Sequence, residues 1–211
     1  MLDAFAVRLI AVVMAIVVVA GLLVMFRWEM GGRGTMKLRA STPIARGANV
    51  GWTGTQMVSF FYPVVVAIVP GITYGTVLNF SFPYDSALQL LGIFLWCVGA
   101  VLLLWCSRLL GSIMTIDGVA EGHKLMTRGP FATIRHPTYT AWVLLALGAA
   151  GIFLSYVLLV VAVLTVALAR LLASREEQLL ASPEGFGEEY RAYMKETGRF
   201  LPKLRSRRRS S

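Results

Sequence analysis

Long apolar runs separated by short polar connections dominate this chain. Three runs, at about 5–26, 58–80 and 87–110, each reach the roughly 20 residues a membrane-spanning helix needs. A fourth apolar region extends from Tyr139 to Ala173, with a small-residue break at Gly148-Ala149-Ala150-Gly151. At ~1.5 Å per residue, one helix of that length overshoots a ~30 Å hydrocarbon core. Two shorter helices turning near Gly151 to Ser155 fit better. Beyond Ala173 the pattern turns polar, with Phe186, Tyr190, Tyr193 and Met194 at helical spacing, the mark of an amphipathic helix under the bundle or on the lipid surface. The expected fold is an all-α, polytopic integral membrane protein of about five transmembrane helices with a cytoplasmic C-terminal amphipathic helix.

Loop charges orient it. Residues 27–57 carry Arg27, Arg33, Lys37, Arg39 and Arg46 against Glu29. The connection around Ser81 to Ser86 has only Asp85, whereas 108–138 carries Arg108, Lys124, Arg128 and Arg135. The turn near Gly151 is uncharged and the tail is basic. Under the positive-inside rule this alternation places the N-terminus outside and the C-terminus in the cytoplasm. The run from Leu9 to Phe26 exceeds a signal peptide's usual ~7–15 apolar residues and reads as a retained helix.

Composition agrees. Of 211 residues, 57% are hydrophobic and 15% charged, too apolar for a soluble domain. The net charge of +9 sits in loops and tail, so membrane topology accounts for it and a nucleic-acid partner is not expected. Arg205, Arg207, Arg208 and Arg209 suit a disordered anchor to anionic lipid. Cys97 and Cys106, nine residues apart in one run, point to roughly opposite helix faces and read as packing residues. Pro63 and Pro70 suggest an irregular second span.

Candidate chemistry gathers near the end of the chain. Both histidines, His123 and His136, and most acidic residues (Glu121, Glu176, Glu177, Glu184, Glu188, Glu189 and Glu196) flank the apolar hairpin or follow it. Pro137 disfavours helical geometry at His136 and can open a new helix, so His136 stands on a membrane lip where backbone N–H groups are unpaired. Glu176 and Glu177 follow the hairpin's exit. A carboxylate facing an Arg-His-Pro corner suits a ligand bearing an ammonium group; a solvated acidic face and interfacial histidines are the plainer account.

The ordered pattern Gly122-x-x-x-Met126-x-Arg128-Gly129-x-Phe131, Arg135-His136-Pro137-x-Tyr139, Glu176-Glu177-x-x-Leu180, Phe186-Gly187-x-x-Tyr190-x-x-Tyr193 and Pro202 resembles the isoprenylcysteine carboxyl methyltransferase family and its phospholipid methyltransferase relatives, over about residues 115–202. The resemblance implies S-adenosyl-L-methionine as cofactor at the cytoplasmic face. His123, Leu125 and Met126 would lie along it, Phe131 stands where the family usually has tyrosine, and Arg135, His136, Pro137, Thr138 and Tyr139 would form the corner holding it. Glu176 would meet the amino group of its methionine moiety. The family's substrate arginine aligns with Leu172, so Arg170 or Arg175 would have to replace it. The acceptor would be a lipophilic small molecule from the bilayer. An acceptor carboxylate needs no base; a thiol, hydroxyl or protonated amine would need one, with His136 or Glu177 in reach.

The chain then divides into three variable transmembrane helices with a basic cytoplasmic loop at 27–57 (1–110), a methyltransferase core (111–202) and a basic tail (203–211). The Ala/Val/Arg-rich composition suggests a bacterial inner membrane. A membrane NADPH-dependent sterol or steroid reductase shares a similar corner and is the alternative enzyme. A small transporter or assembly factor is the alternative outside enzymes, although Arg8 and Arg170 near helix ends are the main charges within the spans.

Overall fold

The computed structural model describes residues 1–29, 36–39, 43–72, 77–81, 83–111, 118–120 and 124–203. The elements, in chain order, are α1 (Ala4–Glu29), strand β1 (Met36–Arg39), α2 (Pro43–Ile68), a 3-10 turn (Pro70–Ile72), α3 (Asp85–Leu110), strand β2 (Gly118–Ala120), a second 3-10 turn (Gly129–Ala132), α4 (Pro137–Phe153), α5 (Tyr156–Leu180) and α6 (Glu188–Glu196). The protein is a polytopic, helical membrane bundle. Within the described residues, Ala4–Val24, Asp85–Leu110 and Tyr156–Leu180 are long and apolar enough to cross a membrane, and Pro137–Phe153 is a shorter apolar helix. Large apolar side chains such as Phe5, Ile16, Phe94 and Val163 are exposed along these helices, as a lipid-facing surface requires.

The helix at the second expected span differs from its expected position, and it is not among the described helices long and apolar enough to cross a membrane. The expectation was 58–80; α2 runs from Pro43 to Ile68 instead. Its N-terminal half, rich in Gly, Ala and Thr, is too weakly apolar to announce itself, yet Pro43 suits a helix start. At the other end Val69 precedes Pro70, a position where helical geometry is disfavoured. Much of the expected 27–57 loop is therefore helix, since α1 also continues to Glu29. The rest includes β1, which pairs antiparallel with β2, an element the sequence did not announce. This ribbon ties 36–39 to 118–120 across the boundary drawn at residue 110.

The break at Gly148-Ala149-Ala150-Gly151 is a helix contact, and the chain turns three residues later. Gly148, Ala149, Ala150 and Gly151 are all buried within α4. A Cβ on Gly92 of α3 would stand 2.7 Å from the Ile152 nitrogen and 2.8 Å from the Gly148 carbonyl oxygen; one on Gly148 would stand 2.7 Å from the Gly92 carbonyl oxygen. Two backbones meet here without side chains between them, the way membrane helices gain dispersion contact when lipid supplies no hydrophobic drive. The reversal itself falls at Leu154, a buried left-handed residue (φ 48°), and Ser155. Residues 78–80 cover it: Phe80 N–H donates to the Leu154 carbonyl at 2.9 Å and Tyr156 N–H to the Leu78 carbonyl at 2.9 Å.

Hydrogen bonds fix which helix ends lie together. The Leu2 N–H donates to Gln89 Oε1 at 2.7 Å, Gln89 Nε2 to the Ile152 carbonyl at 3.0 Å, and Arg8 Nε to the Ala67 carbonyl at 3.2 Å. The start of α1, end of α2, start of α3 and the α4–α5 turn therefore share one end of the bundle. The beginning of α2 and of α4 share the other, where the Trp52 and Tyr139 rings meet edge-on at 5.0 Å. Val7, Ala11, Met14, Val66, Phe153 and Leu158 form the buried cluster at the first end.

Replacing Gly92 or Gly148 with alanine is expected to lower stability by about 1–3 kcal/mol through overpacking. Thermal unfolding in detergent measures it, with Gly54→Ala as the control: a Cβ there meets nothing within 4 Å.

Candidate active site

At the second end, the chain leaves the 129–132 turn through Ile134 and enters α4 at Pro137. Pro137 opens the helix, and His136 is held just outside it with φ −122° and ψ 58°. This corner is fastened from the other side by residues 197–200. Arg135 N–H donates to the Gly198 carbonyl at 2.8 Å, His136 N–H to the Arg199 carbonyl at 3.0 Å, and Gly198 N–H to the Thr133 carbonyl at 3.0 Å. Thr140 Oγ1 donates to the Phe200 carbonyl at 2.9 Å. A Cβ on Gly198 would collide with the Leu201 carbonyl oxygen, so only glycine allows the chain to fold back on itself there.

Glu177 binds the pieces together. The residue is 4% exposed. Its Oε1 accepts from Arg135 Nε at 2.9 Å, Arg199 Nε at 3.1 Å and His136 Nε2 at 3.3 Å, while Oε2 accepts from Arg199 Nη2. Arg135 also donates to the carbonyls of Met194 and Thr197, and Arg199 Nη1 donates to Ser174 Oγ at 3.1 Å. Charge-assisted bonds of this kind are the strong ones, and together they connect the end of α5, the corner before α4 and the segment after α6.

His136 is 3% exposed and faces both glutamates. Its Nε2 lies 3.3 Å from Glu177 Oε1 and its Nδ1 3.5 Å from Glu176 Oε2. Only the doubly protonated ring offers a donor to each carboxylate. Burial on its own would lower the pKa of His136; the hydrogen bonds and charges of Glu176 and Glu177 outweigh it and raise the pKa above the ordinary 6.5. Glu176 differs from its neighbour, with a side chain 42% exposed. Three cations (Arg135, His136, Arg199) thus face two carboxylates, and one carboxylate is still open to solvent.

The structure brings Arg135, His136, Glu176 and Glu177 into one cluster. Pro137, Thr138 and Tyr139 form the first turn of α4, with the Tyr139 ring 5.6 Å from that of His136. Phe131 is buried in the preceding turn; its carbonyl accepts the Tyr193 hydroxyl at 2.5 Å. Leu125 and Met126 are half-buried upstream of that turn, and His123 lies outside the described residues. Arg175 is half-buried, Arg170 exposed and Leu172 buried. Arg199 and Tyr193 hold the site as firmly as any residue singled out from sequence. Tyr193 stood in the sequence pattern, and a buried Glu177 demands cationic partners, but nothing in the spacing said which of the chain's arginines would return to it.

The helix order and the corner frame what the chain resembles. Residues 90–182 match the isoprenylcysteine carboxyl methyltransferase (ICMT) family. The matched segment begins inside α3 and ends just after α5. A solved structure of the eukaryotic intramembrane Ras methyltransferase ICMT is similar to the chain, with 23% identity, a TM-score of 0.46, and coverage of 80% of this chain and 55% of that one. This chain therefore spans about half the length of that protein. No curated protein matches it.

Two outcomes follow from the cluster. Glu177→Ala leaves two guanidiniums and an imidazolium facing one another and is expected to cost about 3–5 kcal/mol, the usual loss when a buried pair is broken; thermal unfolding in detergent measures it. For His136 the folded pKa is raised, so its stabilisation is whole below pH 6.5 and is lost as pH rises through the folded value. The wild-type melting temperature should fall across that window, and the fall should be absent in His136→Gln.

Proposed function

We propose that this protein is an integral membrane methyltransferase that uses S-adenosylmethionine and methylates a lipophilic acceptor at the cytoplasmic face. The observation that carries the reading is the half-exposed Glu176 carboxylate beside the cluster that Arg135, His136 and Arg199 form around buried Glu177, at the bundle end where both halves of the family-like pattern meet. The residues fit such a cofactor. Its methionine end carries an ammonium, for which Glu176 is the available partner, and a carboxylate, which a guanidinium such as that of partly exposed Arg199 favours.

Bound there, S-adenosylmethionine would supply a methyl group on a sulfonium, transferable by direct displacement. The chain's own contribution is positioning and the exclusion of water. Glu177 is ill suited to be a base because both its oxygens already accept from guanidinium N–H groups. His136 is ill suited because both its nitrogens face carboxylates. An acceptor that arrives already nucleophilic, above all a carboxylate, is therefore favoured over a thiol or alcohol that must first lose a proton. Arg170 and Arg175 at the end of α5 are the cations nearest in sequence for meeting such a carboxylate.

Charge supports a cytoplasmic location for this end. Arg46, Arg108, Lys124, Arg128 and Arg175 lie on elements or loops at the site end, whereas Asp3, Arg8 and Asp85 lie at the opposite end. The positive-inside rule then puts residue 1 outside.

Adding S-adenosylhomocysteine should raise the thermal stability of purified protein, and NADPH should not. Glu176→Gln keeps the buried cluster intact and should weaken S-adenosylhomocysteine binding about tenfold, equal to ~1.4 kcal/mol. A shift with NADPH alone would overturn the reading in favour of a reductase.

A further inference from the structure

Inside the bundle, Gln56 Nε2 and Ser59 Oγ on α2 have no hydrogen-bond partner among the described residues. The two residues are only 7% and 8% exposed. A buried polar group without a partner is costly, and within a membrane no bulk water relieves it. Thr55, on the same buried face, shows the usual remedy, its hydroxyl donating to the Trp52 carbonyl at 2.8 Å. Gln56 falls midway between Trp52 and Phe60 at four-residue spacing, so the three share one side of the helix. The rings of Trp52 and Phe60 pack edge-on against Tyr139 and Trp142 of α4, at 5.0 and 4.9 Å. Gln56 thus faces α4 about 6 Å, one helical turn, beneath the Trp52–Tyr139 pair. On the next turn, Pro63 has no N–H to give to the Ser59 carbonyl, which adds an acceptor lacking its usual donor.

We propose that Gln56 and Ser59 bind an oxygen of the membrane-borne methyl acceptor, one to two turns beneath the His136 corner, and so make α2 the helix that selects it. This rests on the methyltransferase reading and adds a substrate class to it: a lipophilic chain carrying a carboxyl, carbonyl or hydroxyl oxygen. The Gln56 amide donates to that oxygen, and the Ser59 hydroxyl can donate or accept. A pure hydrocarbon satisfies neither.

Farnesoic acid, farnesol and the hydrocarbon farnesene share one chain and differ at the polar end. Each is titrated against the purified full chain in detergent, with thermal unfolding as the readout. The acid or the alcohol should stabilise the wild-type protein and farnesene should not. Gln56→Leu combined with Ser59→Ala should weaken that binding about tenfold or more while leaving the response to S-adenosylhomocysteine unchanged, which also shows that the variant folds. Equal stabilisation by farnesene overturns the proposal, as does unchanged affinity in the double variant. A higher melting temperature in that variant with the oxygen-dependent response intact overturns it too, because the two groups are then merely unpaired or hydrated. Should the double variant not fold, Gln56→Met alone, close in volume, must show the same loss. Absence of any S-adenosylhomocysteine response in the wild type overturns the methyltransferase reading and leaves the oxygen dependence to be judged separately.

Discussion

A single carboxylate organises the site end of this protein. Glu177 is buried at the end of α5, and its two oxygens take bonds from Arg135 before α4 and Arg199 after α6, with His136 beside them. Burying Glu177 alone would be prohibitive; it is tolerable here because Arg135, Arg199 and His136 bring donors to both its oxygens. The segments they join are distant in sequence, and these bonds tie them to one another. Charge-assisted hydrogen bonds thus join this end, whereas close backbone packing joins the α3 and α4 helices below it.

Those helices fix where the cluster stands. The Gly92–Gly148 contact brings α3 and α4 to backbone separation, so α4 has little freedom to slide or tilt. Leu154 reverses the chain at the far end, and α5 returns with Ser174, Glu176 and Glu177 at the level of the corner. Positional rigidity in the bundle is thereby delivered to His136 and Glu176. On the proposed reading, geometry matters more than proton transfer here, since His136 and Glu177 are already engaged.

Much of this was legible from the residues. The apolar hairpin and the C-terminal amphipathic helix follow from periodicity, charge alternation put the Arg-His-Pro corner and the Glu-Glu pair on one side of the membrane, and their meeting is what the family resemblance implied. Other features were not. Residues 43–57 form helix although they lack a strong apolar signal, because Ala48, Thr55 and Gln56 are buried against neighbouring helices rather than facing lipid. Gly148 to Gly151 look like a turn in one dimension, since the same small residues that break a helix in water let two helices touch in a membrane.

The linear sequence by itself determined a membrane bundle with its polar chemistry gathered at one end, because hydrophobic length and proline geometry are local properties. Only the tertiary structure decided the division of labour between two adjacent glutamates. Side chains one residue apart on a helix point about 100° apart, so Glu177 turns inward to the arginines and Glu176 outward to solvent. Which arginines came to meet it depended on the chain folding back at Gly198, a long-range closure that no local pattern encodes.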